Sequence, residues 1–258
     1  MAGPVVTLRA IGKTFTSGTL AIDGLNLDVS EGEFLSFLGP SGCGKSTALR
    51  LIAGLIEPTS GTVDWRDGAR PEIGFVFQEP TLMPWANVFD NVYLPLRLRH
   101  VSRADARGQI EAALSLVGLG DFTSAYPREL SGGMKMRVSI ARALVLKPAL
   151  LLLDEPFAAL DEITRLKLND DVLRIKAELG TTVIFVTHSV YESVYLSTRV
   201  VVFAARPGRI VSMIDIAAPM PRTEAFRLSQ DYAEYCGQAS GALQRAIGLR
   251  DSVHGALP

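Results

Sequence analysis

Polar and apolar residues alternate over residues 5–11 and 25–29, the period of strands buried on one face, with turn residues between them. Phe34–Leu38 is a short apolar run that leads into a glycine-rich loop. Lys45–Ala53 carries helical spacing and is stopped by Gly54 and Pro58. Residues 61–65 and 73–77 are predicted strands, with a turn at Asp67-Gly68 between them. The texture then changes. Residues 87–99 and 104–117 have helical periodicity, residues 121–130 form a polar connector containing Pro127, and residues 133–146 read as a helix that ends before Pro148. Residues 87–147 are therefore predicted as a helical subdomain inserted into an α/β core. Beyond it the strand–helix rhythm resumes: a strand at 150–153, a helix at 161–179 ended by Gly180, a strand at Thr182–Thr187, a short helix at Val190–Leu196 and a strand at 200–203. Such alternation predicts a largely parallel, covered sheet. From about Asp215 the pattern weakens, and residues 223–247 read as one or two helices.

Composition narrows this only slightly. At 258 residues, the chain is long enough for one large domain or a core with an insertion, and 48% hydrophobic against 21% charged residues is an ordinary globular balance. A net charge of −1 without a basic block argues against a nucleic-acid binder. Cys43 and Cys236 form neither a disulfide framework nor a metal cluster, usage that fits a reducing compartment. Met1-Ala2-Gly3-Pro4-Val5-Val6 lacks the basic and apolar regions of a signal peptide. No apolar run approaches the ~18 to 20 residues that span a bilayer, so the expectation is a chain soluble by itself, free to dock onto a membrane protein.

Three segments carry chemistry. Gly39-Pro40-Ser41-Gly42-Cys43-Gly44-Lys45-Ser46-Thr47 matches G-x-x-x-x-G-K-[ST] and lies after a strand and at the start of a helix, the context of a phosphate-binding loop. Glycines let the backbone fold around phosphate, and the N–H groups at the helix start point at the anion. Lys45 would supply charge to the β- and γ-phosphates of a nucleotide, and the Ser46 hydroxyl would ligate Mg²⁺. Leu150-Leu151-Leu152-Leu153-Asp154-Glu155-Pro156 carries a buried strand to the sheet edge where ligands bind in parallel sheets. There, Asp154 is suited to hold Mg²⁺ through water and Glu155 to polarise an attacking water. Taken alone, the pair also reads as an acidic turn; 109 residues after Lys45, it reads as the second half of a nucleotide site. In Leu130-Ser131-Gly132-Gly133, Ser131 is a good N-cap, and the two glycines expose N–H groups at a helix start. That is a second anion site, although a plain helix cap accounts for it in isolation.

Placed 23 residues before Asp154, the Leu130–Gly133 segment resembles the signature motif of the ATP-binding cassette (ABC) ATPases. The resemblance covers residues 5 to about 215. Gln78, in Phe75-Val76-Phe77-Gln78-Glu79-Pro80, matches the Q-loop glutamine, which implies a role in sensing Mg²⁺ and γ-phosphate and in coupling to a transmembrane partner. Ala159-Leu160-Asp161 matches the D-loop, which crosses a dimer interface. His188, 33 residues after Glu155, matches the switch histidine that contacts γ-phosphate. Phe15 lies where the family keeps an adenine-stacking aromatic; packing into the core is the other reading of it. Met134, Ala159 and Ser189 depart from the commonest residues at their positions, but no Lys, Glu or His needed for hydrolysis is lost. The resemblance implies an α/β fold: a P-loop NTPase core with a mainly parallel sheet (1–86 and 148–215), an N-terminal antiparallel β subdomain, the inserted helical subdomain and a tail at 216–258. It also implies that two copies sandwich two ATP molecules with Mg²⁺, each between one copy's Gly39–Thr47 loop and the other's Ser131, Gly132 and Gly133.

Within the family, Gln78-Glu79-Pro80-Thr81-Leu82-Met83-Pro84-Trp85, with Val88, Asp90, Asn91, Val92 and Met134, looks like the importers for nitrate, sulfonates and taurine. The implied partners are a second copy, permease subunits docking near residues 78–91 and, indirectly, an extracytoplasmic solute-binding protein. The implied location is peripheral, on the cytoplasmic face of a membrane. Trp85 has a second reading, as an anchor of the Q-loop end against the helical subdomain. The tail is expected to cover the core or contact the second copy, and it is too short for a further regulatory β-barrel. Three rival readings fit the sequence less well. A non-transport ABC ATPase acting on nucleic acid or ribosomes lacks support from a coiled coil, a CxxC pair or a basic patch. A P-loop kinase or GTPase leaves Leu130–Gly133 unexplained, and an exporter ATPase is disfavoured by Pro84-Trp85.

Overall fold

The computed structural model describes residues 3–254; Met1, Ala2 and residues 255–258 lie outside it, and with them the start of the stretch read for a signal peptide and the end of the tail. In chain order the elements are β1 (Pro4–Thr14), β2 (Leu20–Ser30), β3 (Phe34–Leu38), α1 (Lys45–Ala53), β4 (Ser60–Trp65), β5 (Ile73–Val76), α2 (Val88–Leu98), α3 (Arg103–Leu116), α4 (Gly132–Leu144), β6 (Leu150–Asp154), α5 (Glu162–Leu179), β7 (Thr182–Thr187), α6 (Val190–Leu196), β8 (Arg199–Ala204), β9 (Arg209–Asp215), α7 (Glu224–Arg227) and α8 (Gln230–His254). The fold is α/β, as the alternation predicts. The polar connector holds two short 3-10 turns, Gly120–Phe122 and Pro127–Glu129, and the tail holds two helices. β9 was not predicted. It has one buried residue, Ile214, and adjacent apolar pairs in place of alternation, so its antiparallel ladder with β8 makes it a strand.

Two compact units emerge, one of residues 1–70 and 182–258 and the other of residues 71–181. In the first unit, β2, β1 and β4 form an antiparallel sheet in which Leu8 pairs with Leu27 on one side and Val63 on the other. A second set of strands runs β7-β3-β8-β9, parallel except for β9. β3 and β7 are buried at every position, which is why both are mostly apolar in the sequence, with Ser36 the one polar residue inside β3 and Thr182 and Thr187 at the ends of β7. α8 covers β8 with a stripe of small residues, Cys236, Ala239, Ala242 and Ala246, packed on Val200, Val202 and Ile214. Cys236 is thereby a core residue.

In the second unit, β5 runs parallel to β6, Val76 opposite Leu153, and helices α2 to α5 complete the body. Side-chain caps start its helices where polar residues precede apolar runs: Asn87 caps α2, Ser102 α3, Ser131 α4 and Asp161 α5. Arg137 joins three elements, donating to the Val117 carbonyl at 2.8 Å and pairing with Asp171 at 2.5 Å.

Phe37 in β3 is fully buried with its ring 5.0 Å from that of Phe203. Phe37→Ala is expected to cost about 3–5 kcal/mol through lost burial and the cavity left behind, measured as a lower urea midpoint. A change under about 1 kcal/mol would mean that the strand core repacks freely.

Candidate functional site

The glycine-rich loop fills the gap between β3 and α1. Gly44 stands at the N-cap of α1 with φ 95°, and a Cβ there would lie 2.9 Å from the Ala21 carbonyl, so only glycine fits. The first helical bond, Ala48 N–H to Gly44 O, is 2.8 Å. The first-turn N–H groups of an α-helix have no intrahelical acceptor and suit an anion. Lys45 is buried and turns back into the loop, donating from Nζ to the carbonyls of Gly39 at 2.8 Å and Pro40 at 3.0 Å. Ser41 and Gly42 are exposed on the outer side of the loop, while Ser46 and Thr47 are half-buried on α1. Burial pushes the Cys43 thiol up, only partly offset by the Lys45 charge, which keeps it protonated and unlike a nucleophile or metal ligand. The loop's floor is fixed by Gly208, which donates to the Ala21 carbonyl at 2.9 Å and accepts from Asp23 N–H at 3.2 Å.

His188 belongs to the same unit and the same strand edge. Leu38 of β3 pairs with Thr187 of β7, so Gly39 and His188 leave two adjacent parallel strands at their carboxyl ends. Local bonds fix the turn behind the exposed imidazole. Thr187 Oγ1 donates to Glu192 at 2.6 Å and accepts from Ser189 N–H at 2.9 Å, and Ser189 caps α6. Phe15, in the turn between β1 and β2, is 40% exposed, with Lys13 Nζ 5.6 Å from its ring centroid. That excludes the core reading and leaves a ring face able to stack.

The second unit repeats the arrangement. β5 and β6 end side by side, so Gln78 and the Asp154-Glu155 pair follow adjacent parallel strands. Asp154 closes β6 and is only 5% exposed, whereas Gln78 is exposed. Glu155 adopts φ 46°, a left-handed conformation that costs a non-glycine residue roughly 1–3 kcal/mol and is held by the turn in which Ala158 N–H donates to the Glu155 carbonyl at 3.2 Å. The Glu155 side chain is half-buried. Asp161 caps α5, and hydrogen bonds from Thr164, backbone first and hydroxyl second, hold its carboxyl below the usual range.

Ser131 caps α4 by accepting from Met134 N–H at 3.2 Å, and both Ser131 and Gly132 are exposed. Gly133 is buried; a Cβ on it would come within 2.7 Å of Thr164 on α5, and one on Gly132 within 3.3 Å of Leu160. The glycines thus set the start of α4 hard against the Ala159-Leu160-Asp161 turn, and the helix N-terminus faces outward.

Sequence reasoning missed the anchoring role of two residues of this region. Asn91, fully buried, accepts from Met83 N–H at 2.8 Å and donates to the carbonyls of Met83, Ala86 and Asn87 at 3.2, 3.0 and 3.0 Å. Arg142 of α4 donates to the carbonyls of Pro80 and Thr81, both at 2.9 Å, and Thr81 is itself left-handed at φ 47°. Burial lowers the Arg142 pKa. The one available signal was a polar residue inside the apolar stripe of each helix. These two side chains anchor the Q-loop segment, so Trp85 does not: its ring is 77% exposed, beside a cavity of about 450 Å³ lined by Met83, Tyr93, Leu94, Arg97 and Arg103. The anchoring reading of Trp85 is therefore corrected.

A nucleotide fits what is present: a left-handed glycine at a helix start, a buried lysine inside the loop and an exposed ring in the same unit. Among the described residues, no three His, Cys, Asp or Glu side chains converge on a metal position. Ser46 supplies a hydroxyl in the first unit and Asp154 a carboxylate in the second, each a hard oxygen donor of the type that suits Mg²⁺.

Comparison with known proteins gives the same direction. Residues 22–158 match the family model described as ABC transporter. The chain is 44% identical over 246 residues to the aliphatic sulfonates import ATP-binding protein SsuB 1 of Pseudomonas syringae pv. syringae, covering 95% of this chain and 99% of that protein. It is 43% identical over 230 residues to the nitrate transport protein NasD of Klebsiella oxytoca, covering 85% and 88%. Among solved structures, it is similar to the ATP-binding cassette MJ0796 in a dimeric post-hydrolysis state bound to ADP and Pi, with TM-score 0.74, 32% identity, and coverage of 83% of this chain and 100% of that one.

Gly44→Ala is expected to weaken ATP binding by at least about 10-fold, since it places a side chain in a left-handed position against a carbonyl. Titration with a fluorescent ATP analogue measures it, and an unchanged affinity would show that the loop does not need that conformation.

Proposed function

This chain belongs to the ABC transporter family, whose ATP-binding proteins are ATPases coupled to transport, and we propose that it is the motor subunit of an importer for a small anionic solute of the nitrate, sulfonate or taurine kind. The observation that carries the motor reading is the exposed N-terminus of α4. Ser131 and Gly132 offer an anion contact to a phosphate already cradled by a different loop, so a second copy of the chain is the natural source of that phosphate. The dimeric state of the similar cassette supports this.

In this reading the Gly39–Thr47 loop holds the triphosphate through backbone N–H groups, and the Lys45 ammonium exchanges the Gly39 and Pro40 carbonyls for phosphate oxygens. Phe15 stacks on the base. Ser46 and Asp154, assisted by Gln78, would hold Mg²⁺, which when bound would supply charge neutralisation to the triphosphate. Glu155 takes the proton of the attacking water, and His188 steadies the γ-phosphate. Asp161 lies at the interface with the second copy. The roles are mainly positioning and electrostatic, as phosphoryl transfer requires.

Residues 87–147 act as the helical subdomain that presents Ser131. The exposed Trp85, on the segment framed by Asn91 and Arg142, offers an aromatic anchor to permease subunits docking along residues 78–91. No helix among the described residues is long and apolar enough to cross a membrane, which suits a peripheral subunit on the cytoplasmic face of one. A solute-binding protein outside the membrane would select the anion.

Glu155→Gln is expected to reduce steady-state phosphate release by at least about 100-fold while leaving ATP binding intact and trapping an ATP-bound dimer on a sizing column. Wild-type-like release would remove Glu155 as the base. Ser131→Arg is expected to abolish hydrolysis and to spare ATP binding by the monomer. Loss of monomer affinity would contradict a contact made in the partner copy.

A further inference from the structure

The helix that follows His188 is gripped at both ends by the C-terminal segment. α6 has seven residues, and the carbonyls of its last turn lack intrahelical partners. Arg222 supplies donors to two of them, Nη1 reaching Val194 O at 2.5 Å and Tyr195 O at 3.3 Å. Its Nη2 donates to Ile216 O at 3.3 Å and Ala218 O at 3.5 Å, so one guanidinium ties the end of α6 to the chain leaving β9. Tyr195 Oη returns a bond to the Arg222 carbonyl at 3.3 Å. At the other end, Tyr232 of α8 donates from its hydroxyl to the carbonyl of Tyr191, in the first turn of α6, at 3.0 Å.

Arg222 is only 5% exposed, and desolvation lowers its pKa to about 10, so it remains a cation at neutral pH. A buried cation held by main-chain carbonyls at a helix C-terminus is favourably placed for the helix dipole but expensive to desolvate. Covering the sheet does not require it. The stripe of Cys236, Ala239, Ala242 and Ala246 already does that; Arg222 is not part of that cluster, and Tyr232 packs its ring against it while its hydroxyl reaches beyond it. Both also place a polar group on the backbone of α6.

What α6 positions is His188. Ser189 caps the helix, Thr187 and Glu192 lock its first turn to the end of β7, and Ser197 at its far end bonds Ser36 in β3 at 2.5 Å. β3 is the strand that enters the phosphate loop. His188 is therefore a single residue between two fixed points, and a shift of α6 becomes a shift of the imidazole.

We propose that the C-terminal segment, through Arg222 and Tyr232, is a positioning element for His188. This rests on the reading of His188 as a γ-phosphate contact. Arg222 and Tyr232 are positioning residues; neither is assigned a contact with substrate.

The test is a double-mutant cycle on ATP hydrolysis. Arg222→Met is expected to lower kcat about tenfold with KM for ATP within about twofold, the signature of a misplaced transition-state contact. Arg222→Lys retains the charge but not the fork, and falls between the two. Tyr232→Phe removes one hydroxyl and is expected to lower kcat about two- to threefold. In a His188→Ala background, neither substitution lowers kcat further. If each costs the same factor with and without His188, the proposal is overturned and the tail only stabilises the fold, while the His188 assignment stands. If Arg222→Met does not fold, the Tyr232→Phe cycle decides by the same criterion. A wild-type rate for His188→Ala removes the premise and the proposal with it, a result distinct from additivity.

Discussion

In a parallel pair the two strands end on the same edge, so whatever follows one strand is set beside whatever follows the other. Both units obey this constraint. Pairing of Leu38 with Thr187 brings the phosphate loop and His188 to one edge, and pairing of Val76 with Leu153 does the same for Gln78 and the Asp154-Glu155 pair. Residues scattered through the sequence become neighbours because apolar ladders hold the strands in register. A one-residue slip would reverse every inward side chain of β3 and move Gly39 away from its partner strand's end.

The positions that follow those strands are costly to hold, and the surroundings offset the cost. Gly44 at φ 95° and Glu155 at φ 46° occupy the left-handed region, the first without a Cβ to clash and the second with one. Asn91 and Arg142 satisfy the backbone of a segment that forms no ladder of its own, which lets Trp85 stay exposed on a rigid frame. The same logic applies to α6: a short helix with few internal bonds gains its fixity from Ser189, Arg222 and Tyr232. In each case a buried or part-buried polar side chain holds backbone beside an exposed residue.

Much of this was legible because local chemistry and global fold agree. Lys45–Ala53, Thr182–Thr187 and Val190–Leu196 fall at the predicted bounds because glycine stops, polar caps and apolar runs mark their ends. The phosphate loop and the acidic pair were readable as spacings. What was not legible depends on contacts far apart in sequence. β9 is a strand because β8 pairs with it; Arg142 matters because Pro80 and Thr81 lie against it, 62 and 61 residues away. Phe15 and Trp85 each had two readings that only exposure could separate, since a sequence does not record which face of an aromatic ring meets water. The tail read as cover, and its apolar stripe is that, but Arg222 gave no periodic signal to reveal its carbonyl partners.

The central claim is that a phosphate held by one copy is completed by Ser131 of another. Mixing two inactive proteins, Lys45→Ala and Ser131→Arg, tests it directly. In a mixed dimer, the intact loop of the second faces the intact α4 start of the first, so one whole site exists where neither parent has any. The account predicts that phosphate release, absent from each protein alone, returns on mixing and rises with the fraction of mixed dimer. A mixture as inactive as its parts, with mixed dimers demonstrably formed, would contradict it.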